Sequence, residues 1–253
     1  CRLAGFRAAL YVAEAAWKAG AVVDETKAYE LPSFAEAMKA YPELPKVAYI
    51  YMLQTQGLLH DTYVYGVDAK KIIPSLIHPN ETMDGAIVSG NCVSACDKNS
   101  TYVHQNNPVI RSLYERHGKD INFIGVIITN ENVTLMDKQR SSSYAVKLAS
   151  MLGVDGVVIS EEGFGNPDAD LIMNCRKSEQ AGIKTVLIPA ENVPDLAEVD
   201  SVVKENVKFI PVKRVDTVLE TALTHMPRPV TQETVVLAGD ITAKHQKAPE
   251  LYQ

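Results

Sequence analysis

Several features are scarce in this chain, and each scarcity excludes something. Its cysteines number four, Cys1, Cys92, Cys96 and Cys175, too few and too irregularly spaced in 253 residues for a disulfide framework, so they are expected to be thiols. No stretch approaches the ~18 consecutive apolar residues of a membrane span, and the N-terminus has no basic, apolar and small-residue leader pattern. The cytoplasm is therefore the expected location. Neither sign of charge gathers into a run: 25 Lys and Arg stand against 31 Asp and Glu, for a net charge of −6. That balance argues against a nucleic-acid or anionic-membrane partner. No Pro/Gly/Ser-rich linker divides the chain. What is present, 46% hydrophobic and 22% charged residues, is the composition of a globular protein with an ordinary core and not of a disordered or collagenous one. The first residue is Cys1, not Met, and a helical pattern follows at once, as expected of a fragment or a processed product.

Leu3, Phe6, Leu10, Ala13 and Trp17 recur at helical spacing before Gly20, so 3–19 is read as an amphipathic helix; a short helix is expected after Pro32. Beyond it, short β-branched or aromatic runs at 47–53, 86–88, 123–129, 156–159 and 183–188 alternate with helical segments at 107–117, 138–152 and 170–181. Near-continuous apolar strands separated by helices predict an α/β fold, a mainly parallel sheet with helices on both faces. In such a sheet ligands bind beyond the carboxyl ends of the strands. The segments following four of the strands, 54–61, 89–97, 130–132 and 160–168, are polar and glycine-rich. If all four strands are parallel in one sheet, these loops share one edge and build one site. From them we take Gln56, Asn130, Glu131, Glu162 and Asn166 as candidate substrate-binding residues.

Within those loops Asn91-Cys92 carries the most distinctive chemistry. A Cys thiol can attack the carbonyl of the residue before it through a five-membered ring, exchanging the amide for a thioester. Loss of sulfur by β-elimination and hydrolysis then leave a pyruvoyl group. On spacing alone a plain loop cysteine, or half of a Cys92/Cys96 metal pair, is as open a reading. His104 and His117 could complete such a pair, yet no CxxC or HExxH element supports it, and no metal site is expected. His60-Asp61 is an acid/base candidate, since a carboxylate beside a histidine favours its charged form; the alternative is a structural histidine. Glu161-Glu162 lie adjacent in a loop, so at most one is expected to face the site, and the following GFGN lacks the third glycine of a dinucleotide fingerprint.

The segments KVAYIYMLQTQGLLHDTYVYGVDAKKI (46–72), MDGAIVSGNCVSACDKNSTYVHQNNPVI (83–110), LYERHGKDINFIGVIITNENVTLMDKQRSS (113–142) and GVDGVVISEEGFGNPDADLIMNCRKSE (153–179) together resemble the proprotein subunit of component B of the glycine/sarcosine/betaine reductase complexes. The likeness covers roughly 1–180. It implies cleavage at Asn91-Cys92, with Cys92 becoming a pyruvoyl cofactor, and an activity that reductively cleaves the C–N bond of a small amino acid. It implies as partners a selenocysteine-containing component B subunit, since this chain has no selenocysteine, and the other reductase components. His60 and Asp61 would then assist the chemistry at Cys92.

After about residue 180 the pattern changes. Residues 181–223 look like the last β/α segment of Lon-type proteases, but the serine and lysine loops of that family have no counterpart here, so the segment is expected to be packing without a peptidase role. The expected organisation is one α/β domain over 1–226, reductase-like in 1–180 with an additional β/α segment in 181–226, and a tail over 227–253 to which no structure is assigned. A different class of function, a binding or scaffold subunit with Cys92 intact, predicts an uncut chain.

Overall fold

The structure, a computed structural model, describes residues 2–56, 62–90, 99–163 and 165–188. Two compact units divide the chain, residues 1–31 and 32–253. The first contains helix α1 (Arg2–Lys18), whose Leu3, Leu10, Tyr11 and Trp17 side chains are exposed. The second runs through α2 (Phe34–Ala37), β1 (Lys46–Leu53), β2 (Thr62–Val64), β3 (Val67–Asp68), β4 (Ser75–Ile77), α3 (Pro79–Met83) and β5 (Ile87–Ser89). It continues with α4 (Thr101–Gln105), α5 (Pro108–Arg116), β6 (Asn122–Asn130), α6 (Leu135–Met151), β7 (Gly156–Ser160), α7 (Asn166–Gln180) and β8 (Lys184–Ile188).

Five strands form the main sheet in the order β4-β6-β1-β7-β8, all parallel except β4 at one edge. β6 and β7 are buried along their whole length and β1 at every residue but its first, which is why these strands show no polar alternation. On one face Ala48, Ile50 and Met52 of β1, with Ile127 of β6 and Val157 and Ile159 of β7, form a core with Ala145, Val146 and Ala149 of α6 and Leu171 and Cys175 of α7. In this core Cys175 is a small apolar group; burial pushes its thiol up to about 11. Elsewhere Tyr114 of α5 meets Phe123 of β6 edge to face, and Tyr49 stacks on Tyr51. Gly125 of β6 admits the ring of Phe34: a Cβ there would lie 2.5 Å from the Phe34 Cε1.

The expected strand at 86–88 exists as β5 but does not join the parallel sheet. It pairs antiparallel with β2 in a separate three-stranded sheet of order β3-β2-β5. The cause is the hairpin before it. Val64 pairs with Val67 across Tyr65 and Gly66, both at positive φ (49° and 81°), a two-residue primed turn whose twist suits a hairpin. That hairpin presents an edge, and β5 takes it with Thr62 opposite Ser89. Helices α6 and α7 begin earlier than their apolar spacing implies. The hydroxyl of Thr134 caps α6 by accepting from the Asp137 amide, and Pro167 opens α7, where no amide is needed. Expected strand 183–188 is β8, hydrogen-bonded in parallel to β7. The rest of the 181–226 segment and the 227–253 tail lie outside the described residues.

Candidate functional site

Parallel register fixes where the strands end. Leu53 of β1 lies opposite Asn130 of β6, and Tyr51 lies opposite Ser160 of β7, so the chain leaves all three strands at one edge. There the loops bind one another. The Gln54 amide donates to Glu162 Oε2 (2.7 Å), the Gln56 side-chain nitrogen to the Asn132 carbonyl (2.6 Å), and the Thr55 hydroxyl to the Glu131 carbonyl. Glu131 closes the ring, its Oε1 accepting the amides of Glu162 (2.7 Å) and Gly163 (3.3 Å). Gly163 is required by this packing, since a Cβ there would sit 2.5 Å from the Gln54 side-chain nitrogen and 2.9 Å from Pro167 Cγ.

The cluster is acidic, and its carboxyls are buried. Glu131 is fully buried, and burial, aided by the nearby Glu162 charge, pushes its carboxyl up to about 8 against the pull of the two amides. Its Oε2 has no hydrogen-bond partner among the described residues. Beside it, Asp170 accepts from the Asn132 amide (3.3 Å) and pairs with the buried Lys138 ammonium. Burial raises the Asp170 carboxyl even so, because desolvation outweighs the attraction of the lysine.

A second arm reaches the same cluster from β5. The imidazole of His104, wholly buried on α4, has Nδ1 2.7 Å from the Tyr51 hydroxyl and Nε2 3.0 Å from Ser89 Oγ, with Glu162 Oε1 3.6 Å from Nε2. Asn99 donates to Glu162 Oε1 (3.2 Å) and to the Tyr51 oxygen (3.4 Å). Burial, then the Glu162 charge, holds the Tyr51 phenol well above its ordinary value, so it stays protonated. Glu162 thus joins three strand ends: it bonds the loop after β1, is bonded by Glu131 after β6, and approaches the histidine that holds the end of β5.

Of the candidate residues, Gln56, Glu131 and Glu162 belong to this interlocked set. Asn130 lies beside it, but its side-chain nitrogen is spent on the Ala69 (3.2 Å) and Ile72 (3.4 Å) carbonyls, and its oxygen accepts from Ser141 (3.0 Å). Asn166 is exposed in the first turn of α7, and it is its carbonyl that accepts from Lys138 (2.9 Å). Both Glu161 and Glu162 are buried. His60, Asp61, Asn91 and Cys92 lie outside the described residues. His104 is the member that sequence reasoning passed over, weighing it only as a metal ligand. Nothing local marks it; its meaning comes from Ser89, three residues before Cys92. Among the described residues no three His, Cys, Asp or Glu side chains come together as a metal site.

The sequence profile of glycine/sarcosine/betaine reductase component B subunits matches residues 1–211. The chain is 67% identical over 190 residues to the glycine reductase complex component B subunits alpha and beta of Acetoanaerobium sticklandii, covering 75% of this chain and 44% of that protein. It is 60% identical over 192 residues to the sarcosine reductase complex component B subunit alpha of Peptoclostridium acidaminophilum, again 75% and 44%. The chain thus spans under half the length of these curated relatives. A shorter stretch, 70 residues at 41% identity, is similar to the Lon protease of Acinetobacter baumannii, covering 27% of this chain and 9% of that protein. No solved structure matches the chain.

Proposed function

Because this chain belongs to the family of glycine/sarcosine/betaine reductase component B subunits, we infer that it is the part of such a subunit that forms and houses a carbonyl cofactor, a pyruvoyl group made from Cys92. The substrate is a small amino acid of the glycine, sarcosine or betaine type, whose C–N bond is cleaved reductively in a complex. A selenocysteine-containing partner subunit supplies the nucleophile at carbon, and further components complete the turnover. The observation that carries this reading is the convergence of the ends of β1, β6, β7 and β5 on Glu162.

The residues around that point fit the group. A substrate nitrogen that carries positive charge needs a carboxylate partner, and Glu162 supplies one, with the polar Glu131 and Gln56 beside it. With Oε1 accepting two amides, the proton of the Glu131 carboxyl is on Oε2, which has no hydrogen-bond partner among the described residues. When present, the pyruvoyl carbonyl is an electron sink beside the substrate nitrogen.

Its formation needs no oxidant. The Cys92 thiol adds to the Asn91 carbonyl carbon; a C–S bond replaces the C–N bond, and the freed nitrogen takes up the thiol proton. Removal of the Cys92 Cα proton expels the sulfur as the Asn91 thiocarboxylate and leaves a double bond to Cβ. Tautomerisation and hydrolysis release ammonia and give the ketone, while hydrolysis of the thiocarboxylate releases sulfide. His60 and Asp61, a histidine beside a carboxylate in the segment after β1, are the acid and base assigned to move these protons, and a thiolate is the better nucleophile.

Intact mass tests the reading directly. A processed chain gives fragments 1–91 and 92–253, the second lacking sulfur at its first residue and labelling with a hydrazine reagent. Cys92→Ala is expected to abolish both cleavage and labelling, whereas Cys175→Ala leaves both in place. A single uncut mass, the scaffold outcome, or labelling that persists in Cys92→Ala defeats it.

A further inference from the structure

Ser89, the last residue of β5, is held at more points than strand pairing supplies. The Thr101 hydroxyl accepts from its amide (3.0 Å) and donates to its carbonyl (2.9 Å). Its own Oγ lies 2.8 Å from Thr62 Oγ1 and 3.0 Å from His104 Nε2. Both polar backbone atoms and the side chain of one short-strand residue are therefore bonded to side chains, and all four residues but Thr101 are nine-tenths or more buried.

The network extends beyond Ser89. Asn99 can only donate from Nδ2, so the Tyr51 oxygen accepts from it. The Tyr51 hydroxyl is hydrogen-bonded to His104 Nδ1. His104 Nε2 in turn meets Ser89 Oγ, which also meets Thr62 Oγ1, so one chain of bonded side chains runs from Asn99 to Thr62. Tyr51 from β1 and Glu162 from the loop after β7 face the ring. Cys92 is the third residue after Ser89, at most about 11 Å of chain away.

An acyl shift between adjacent residues depends on orientation: the thiol must meet the carbonyl carbon along one approach, and misplacement by an ångström can slow a reaction roughly 100-fold. Resting on the processing reading above, we propose that Thr101 and His104 are positioning residues for cleavage at Asn91-Cys92. They act through Ser89, fixing its backbone and side chain so that the chain leaving β5 enters the reaction in one conformation. Neither residue touches the reacting atoms in this scheme.

The test follows the fragments 1–91 and 92–253 of the 253-residue chain by intact mass over time. Thr101→Val keeps the shape of the side chain and removes both bonds to the Ser89 backbone; Thr101→Ser keeps them. His104→Ala removes the Ser89 bond, and His104→Gln can restore a donor to it. Thr101→Val and His104→Ala are expected to slow cleavage roughly 10- to 100-fold, and Thr101→Ser and His104→Gln to recover most of the rate. Ile127→Val, which thins the core away from β5, controls for lost stability and is expected to cut at the wild-type rate; circular dichroism checks that each variant is folded. Folded Thr101→Val and His104→Ala chains cutting as fast as their conservative counterparts would overturn the clamp alone. A wild-type chain that never cuts, or a Cys92→Ala chain that does, overturns the processing reading and the clamp with it.

Discussion

At the scale of single residues, the acidic cluster depends on one position having no side chain. Gly163 lets the Gln54 side chain and Pro167 close on the loop whose amide reaches Glu131. Adding a methyl group asks Gln54 to swing aside, which a flexible side chain does cheaply, but Pro167 is fixed in the first turn of α7 and cannot. Gly163→Ala is therefore expected to cost about 1–3 kcal/mol, the usual range for overpacking. In a Gln54→Ala background the same change should cost less without becoming free, because the proline contact remains. Urea unfolding of the four proteins in this cycle gives the coupling; equal costs in both backgrounds would mean that Gln54 is not what the methyl group meets.

At the scale of elements, α6 and α7 are tied through charge as well as through their apolar faces. Lys138 and Asp170 face each other with almost no solvent contact, and the lysine also donates to the Asn166 carbonyl where α7 begins. Removing one partner strands the other charge in the core, so Asp170→Ala is expected to destabilise the protein by about 3–5 kcal/mol. A double change, Lys138→Met with Asp170→Leu, is expected to regain much of that loss, since it strands nothing. Guanidinium midpoints decide it, and a double variant weaker than Asp170→Ala would contradict the argument. The elements themselves were legible in the sequence where one signal dominated. β1, β6 and β7 announce themselves as near-continuous apolar runs and β8 as a β-branched one, and all lie in the predicted parallel sheet. β5 was found and misassigned, because apolar content says that a strand is buried and not which sheet receives it. Its partner came from the Tyr65-Gly66 turn, a hairpin signal with a poor first residue that gives way only to backbone geometry. β2, β3 and β4 are two or three residues long and leave almost no period to read.

At the scale of the whole molecule, the site was legible in part for the same reason as the sheet: loops after parallel strands must gather at one edge, so Glu131, Glu162 and Gln56 could be named together, whereas His104 enters through a separate sheet and a short helix that no periodicity foretells. The gathering of carboxyls leaves a mark on global stability. Folded Glu131 keeps its proton up to about 8, while the unfolded chain releases it near the ordinary value of 4.5. Between those limits the folded state binds more protons, so this group's stabilising effect, complete below 4.5, is lost as pH rises towards 8. Asp155 and Asp170, also raised by burial, act with the same sign. Glu131→Gln retains an oxygen for the amides of Glu162 and Gly163 and has no proton to lose. Its urea midpoints between about pH 5 and pH 8 are expected to fall less steeply than those of the wild type, by up to ~1.4 kcal/mol per pH unit across that window. The two profiles should therefore diverge most at the alkaline end, where the wild type carries a buried charge and the variant does not. Parallel profiles would mean that Glu131 ionises as easily in the fold as out of it, and the cluster would then be wetter than its packing indicates.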